Sequence, residues 1–166
     1  MQGLEQILKN KLRGAKKIAI LGIGSDLRAD DAAGVLAMES AAKRLKRSGK
    51  ARNVRAFNGA TAPENLTGVI KRFAPGRIII IDAAEMGQKP GTILVADPAD
   101  VGGATFSTHT MPAKILAEYF LKSFKCVIII IGIQPKSVAF GGKVCREVKA
   151  AVRIVSDAIV DALKKV

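Results

Sequence analysis

Two runs of four isoleucines, Ile78–Ile81 and Ile128–Ile131, constrain this chain more than any other stretch. Both are far shorter than the ~20 apolar residues a membrane-spanning helix needs. The first lies in Arg77–Asp82, which is almost wholly apolar and lacks polar alternation. That is the pattern of a central strand covered on both faces. Such a strand demands helices on either side of its sheet.

The chain supplies them in alternation. Leu4, Ile7, Leu8 and Leu12 fall at helical spacing, and Gly14 is a helix stop. Lys17–Leu21 reads as the first strand. A helix from about Asp30 to Arg47 turns Val35, Leu36, Met38, Ala42 and Leu45 inward, and its basic end complements the helix dipole. Asn53–Phe57 is the second strand and Arg77–Asp82 the third, ending on a carboxylate. Between them, Thr61 and Glu64 have capping-box spacing, and Pro63 suits a first helical turn. Glu64 then returns to the backbone of Thr61, or else binds substrate directly. Thr92–Ala96 follows too soon for a helical crossover, so this fourth strand pairs antiparallel. A helix with Met111, Ile115, Leu116, Tyr119 and Phe120 on one face leads to strand five, Cys126–Ile131. The last helix carries Val148, Val152, Val155, Ile159 and Ala162 as an apolar stripe. The expected fold is an open, mostly parallel, five-stranded twisted α/β sheet, one strand antiparallel, with helices on both faces. Residues 1–166 form a single domain in this reading.

Two cysteines, Cys126 and Cys145, stand in unrelated contexts, which excludes a disulfide framework or a zinc ribbon. A reducing, cytoplasmic home follows as the default, and no secretory leader or membrane insertion is expected. The net charge of +13 allows an acidic partner, or a solvated surface rich in lysine and arginine. The run Lys43, Arg44, Lys46, Arg47, Lys50, Arg52, Arg55 could meet phosphates. With no tryptophan and a single tyrosine, though, stacking platforms are scarce and no specific nucleic acid is expected.

In sheets of this kind ligands bind beyond the carboxyl ends of the strands. Three loops bring ligand-type side chains there: Asp30 and Asp31 after strand one, Asp82 at the end of strand three, and His109 before the fourth helix. A helix N-terminus disfavours imidazolium, and neutral imidazole is the metal-binding form. Two carboxylates with one imidazole suit nickel, zinc or another divalent ion, with coordination positions left open. Ser25 and Ser107 lack a nucleophile elbow. Gly22-Ile23-Gly24 lacks the third glycine of a dinucleotide fingerprint.

Six segments in order carry a resemblance: Gly22-Ile23-Gly24 with Asp30-Asp31-Ala32-Ala33-Gly34, Gly59–Asn65, Ile81-Asp82-Ala83, Pro90-Gly91, Thr108–Pro112 and Gly132–Pro135. Together they resemble the hydrogenase maturation endopeptidases, in particular the formate hydrogenlyase-type branch. Ser25 stands where that family usually has asparagine, and Ala32 where it usually has glycine.

The resemblance implies a phosphorylase/hydrolase-like fold. It implies an endopeptidase that removes the C-terminal extension of a nickel-iron hydrogenase large-subunit precursor once nickel is inserted. The family's metal-binding trio falls on Asp31, Asp82 and His109. The nickel arrives on the substrate, and zinc or another divalent ion can take the same place. Asp30, Thr108 and Gln134 are candidates for supporting those ligands or touching substrate. The enzyme is expected to act as a monomer, and no catalytic residue beyond the trio is assigned. The alternatives are a peptidyl-tRNA-hydrolase-like enzyme and a non-catalytic, metal-sensing maturation chaperone.

Overall fold

The structure is a computed structural model that describes residues 3–49, 52–101, 107–108 and 113–164. In chain order the elements are α1 (Leu4–Leu12), β1 (Ile18–Ile23), α2 (Ala33–Arg47), β2 (Val54–Ala60), α3 (Thr67–Phe73), β3 (Arg77–Glu85), β4 (Ile93–Ala96), β5 (Ser107–Thr108), α4 (Ala113–Ser123), β6 (Val127–Ile133) and α5 (Arg146–Leu163). The main sheet runs β2-β1-β3-β6-β4. Its first four strands are parallel, and β4 lies antiparallel to β6. The expected α/β sheet of five strands is therefore present, with one short addition. Two-residue β5 pairs antiparallel with Ala84 and Glu85 at the far end of β3.

The isoleucine runs occupy the middle of this sheet, with Ile78–Ile81 of β3 in register with Ile128–Ile131 of β6. Alternate residues divide between two cores. Ile79, Ile81, Ile129 and Ile131 pack under α1, α2 and α5, with Leu8, Met38, Leu45, Val155 and Ile159. Ile78, Ile80, Ile128 and Ile130 pack under α3 and α4, with Phe57, Phe73, Leu116 and Phe120. Period-2 alternation sends successive residues to opposite faces, so an unbroken apolar run is what a strand buried on both faces requires.

Four local expectations are corrected. Strand β3 continues past Asp82 to Glu85, so the carboxylate sits within the strand. The second helix begins as a short 3₁₀ turn, Ala29–Ala32, before α2 proper, and Leu36 and Ala42 are only partly buried. Its inward face is instead Ala33, Val35, Ala37, Met38, Ala41 and Leu45. The Thr61–Glu64 box does not form: Ala62 precedes the 3₁₀ turn Pro63–Leu66 with no side-chain cap, and Thr67 Oγ1 donates to the Glu64 carbonyl instead (2.8 Å). In α4 the buried face is Ala113, Leu116, Ala117 and Phe120, while Ile115 and Tyr119 are exposed. Met111 lies outside the described residues. Against these, α5 buries all five residues of its expected stripe.

Candidate functional site

The site gathers where β1 hands over to α2, beside the continuing β3. Gly24 makes the turn at φ +131°, a region that L side chains rarely adopt. A Cβ there would lie 1.8 Å from the Asp31 carbonyl oxygen. Gly34, in the first turn of α2, is as tightly confined: a Cβ would come within 2.2 Å of the Ile81 carbonyl and 2.3 Å of that of Ile23. Backbone therefore rests directly on backbone. The helix start is drawn onto the ends of β1 and β3, and the 3₁₀ turn with its two acids is carried in with it.

Asp30 and Asp31 are both buried, at 1% and 3% exposure, yet they do different work. The Asp30 carboxylate accepts backbone N–H groups from Lys136 (2.8 Å), Ser137 (3.2 Å) and Cys145 (2.7 Å). Burial opposes its ionisation, but those N–H groups outweigh it and hold the carboxyl below its ordinary range. Asp30 thus fastens the segment after β6 to the loop after β1. The Asp30 N–H donating to the Ser137 carbonyl (3.0 Å) and Gly141 N–H donating to that of Leu27 (2.8 Å) reinforce the tie. Both Asp30 carboxylate oxygens are engaged, so it is a structural clamp.

Asp31 Oδ2 accepts the Ser25 N–H at 2.9 Å. This is a main-chain donor, so the bond does not need asparagine at position 25. The Ser25 hydroxyl accepts from Leu27 N–H (3.3 Å) and shapes the turn itself.

Asp82 lies on the same strand face as Ile78 and Ile80 and is 1% exposed. Its Oδ2 is buried without any hydrogen-bond partner among the described residues. Its carboxyl is pushed well above the ordinary range by burial first and by the Asp31 charge second, against a smaller lowering from the Ala83 N–H. A buried carboxylate with an unsatisfied oxygen beside a second acid is expensive to maintain. A divalent cation would satisfy both groups at once, and the oxygen donors fit one.

Among the described residues no third His, Cys, Asp or Glu completes a metal cluster. His109 lies outside them. Its chain neighbour Thr108 pairs with Ala84, two positions beyond Asp82. Gln134 is engaged in holding the main chain. Its side-chain carbonyl accepts from Met86 and Gln88 N–H (2.7 and 3.2 Å), and its amide donates to Glu85 Oε1 (2.8 Å). It shapes the turn after β3. The donors from Ser25, Lys136, Ser137 and Cys145 escaped sequence reasoning because main-chain N–H groups leave no mark in side-chain identity.

A model of the hydrogenase maturation protease family matches residues 39–162. The chain belongs to this family. It is 34% identical over 140 residues to a putative hydrogenase maturation protease of Methanocaldococcus jannaschii, covering 82% of this chain and 83% of the relative. It is 35% identical over 137 residues to the hydrogenase 3 maturation protease of Escherichia coli K12, covering 82% and 84%. The crystal structure of the [NiFe] hydrogenase maturation protease HycI from Thermococcus kodakarensis superposes with a TM-score of 0.83 at 34% identity, covering 95% of this chain and 99% of that one. The solution structure of the endopeptidase HycI from E. coli gives a TM-score of 0.74 at 32% identity, covering 87% and 89%. As a family member the chain is a hydrolase of the endopeptidase class. No helix among the described residues is long and apolar enough to cross a membrane.

Proposed function

We propose that this endopeptidase removes the C-terminal extension of a nickel-iron hydrogenase large-subunit precursor after nickel insertion, with Asp31, Asp82 and His109 gripping the nickel that the precursor carries. One observation carries the reading: the orphaned, buried Asp82 oxygen beside Asp31, at the carboxyl end of the parallel strands. An acid kept at such cost in a protease fold has a use, and a cation delivered by the substrate would discharge that cost only when the correct precursor is bound.

In this reading Asp31, held by the Ser25 N–H, and Asp82, anchored in β3, are oxygen donors fixed before substrate arrives. Nickel, as part of the substrate, would supply a positive centre that anchors the precursor. A water polarised by that metal or by one of the two carboxylates would attack the scissile carbonyl, the C–N bond would break, and the new amine would leave with a proton. The backbone clamps on Asp30 and Asp31 keep the donors in place, which is the positioning contribution. Action as a monomer in the cytoplasm belongs to the same reading.

The test is mass spectrometry of nickel-loaded precursor after incubation with wild type, Asp82→Asn or His109→Ala. Wild type is expected to release the extension. Each variant should remain folded by circular dichroism and process at least about 10²-fold more slowly. Undiminished cleavage by either variant would remove that residue from the trio, and an unchanged precursor mass with wild type would remove the peptidase assignment.

A further inference from the structure

Strand β2 ends the sheet, and one side of it is unpaired among the described residues. The Asn53 carbonyl accepts from Ile18 N–H toward β1 (2.9 Å). By strand alternation the main-chain groups of Arg55 and Phe57 also face β1, and those of Val54, Ala56 and Asn58 face outward. An open edge of this kind is a template for another strand.

The seam between this edge and α2 is hollow along its length. One depression of about 330 Å³ is lined by Ile20, Ala42, Leu45, Val54 and Ala56, with Lys46 at its margin. Next along β2 comes a second, of about 320 Å³, which includes Val35, Leu36 and Ala60. Gly24 and Ala32, the residues flanking the Asp31 loop, also line this second hollow. A main-chain bulge opposite Gly22/Ile23 marks that end of β2, a device that commonly re-aims a strand beside a site. The charges are sorted by position. Asp26 and Glu39 flank the end near Asp31, whereas Lys46, Lys16 and Arg52 flank the far end.

We propose that this seam binds the peptide segment on the C-terminal side of the cut, extended and antiparallel to β2. Its main chain adds a strand to the free edge, its small or apolar side chains fill the hollow, and its terminal carboxylate meets Lys46, Lys16 and Arg52. The seven residues of β2 span about 20 Å, room for six or seven residues of extended peptide. The acids near Asp31 repel a carboxylate and the bases at the far end attract one, which sets the direction. The proposal rests on the endopeptidase reading above and adds how the substrate is recognised. Edge pairing supplies affinity without sequence demands, and the hollow and the charge gradient supply selectivity.

The probe is a dye-labelled synthetic peptide with the sequence of the precursor's C-terminal extension, followed by fluorescence anisotropy and by KM and kcat for nickel-loaded precursor. Ala56→Pro deletes an outward N–H without touching a bond to β1. Lys46→Glu with Arg52→Glu inverts the far-end charge on exposed residues and serves if the proline variant does not fold. Each is expected to weaken peptide binding about tenfold and to raise KM similarly with kcat within about twofold. Amidating the peptide's C-terminus should weaken binding to wild type but leave the charge-inverted variant indifferent. Asp82→Asn should bind the peptide normally while failing to cleave. Wild-type affinity in folded groove variants, or a peptide that does not bind at all, would overturn the proposal and leave the endopeptidase reading standing. Groove-dependent binding without any cleavage by wild type would overturn that reading and keep the groove.

Discussion

Asp30, Asp31 and Asp82 are all buried acids, and their surroundings give each a separate role. Asp30 is saturated by three backbone donors, Asp31 holds one, and Asp82 Oδ2 has none among the described residues. The sequence places all three near one rim, but it leaves Asp30 as a candidate for supporting the ligands or touching substrate without saying how. The answer depends on where residues 136–145 return, a hundred positions later. For Asp82 the raised carboxyl gives a stability prediction for the metal-free protein. An acid whose folded pKa exceeds its unfolded value lends stability that is complete below the unfolded value, about 3.9. That stability is lost as pH rises through the folded value. Asp82→Asn carries no such loss. The variant should therefore be more stable than wild type at pH 7 in denaturant titrations, with the margin closing as pH falls toward about 4. An Asn variant no more stable at pH 7 would mean that burying this charge costs the fold nothing.

The elements differ in how openly they show in the sequence. Helix α5 has an apolar stripe long enough to leave one solution, and all five predicted positions are buried. Helix α4 is shorter, and its apolar residues admit two faces. Contact with α3 and β6 selects the face of Leu116, Ala117 and Phe120 and leaves Ile115 and Tyr119 outside. Helix α3 ends on Ala74 in the left-handed region, φ 51° and ψ 59°, with its N–H donating to the Ile70 and Lys71 carbonyls (3.1 and 3.0 Å). This is the position glycine normally fills, and Pro75 follows as a stop. Ala74→Gly removes the Cβ strain at some cost in chain entropy. It should stabilise the protein by about 0.5–1 kcal/mol, a rise of about 1–4 °C in melting temperature. A lower melting temperature would show that the entropy of glycine outweighs the strain.

Across the whole molecule, 27 basic residues face 14 acidic ones. The structure engages part of that excess internally. Arg44 pairs with Asp157 and bonds Ser156, and Arg55 lies over the Phe73 ring at 4.7 Å. The basic run at the end of α2 is thus not wholly free for phosphates, and two of its members, Lys46 and Arg52, flank the β2 edge. If that surface docks an acidic precursor, complex formation measured by calorimetry should weaken at least about tenfold between 0.1 and 1 M salt. A flat response would leave the charge as a solvated coat. The order of elements and the antiparallel fourth strand were legible because each depends on local periodicity and connection length. The order of strands across the sheet was not: β1 lies between β2 and β3, which leaves β2 as an open edge, and β6 lies between β3 and β4.

By itself the sequence determined the two-sided sheet, through its isoleucine runs, and the candidate donors Asp31 and Asp82, through acids placed where strands meet the rim. Only the tertiary structure decided that Asp82 lies within β3 rather than at its end, and that its oxygen is left without a partner among the described residues. It also decided that Asp30 is a clamp and Gln134 a turn-former. The reason is physical. Periodicity and side-chain type are written locally, whereas main-chain donors are identical at almost every residue. Which acid receives them depends on how distant segments are brought together.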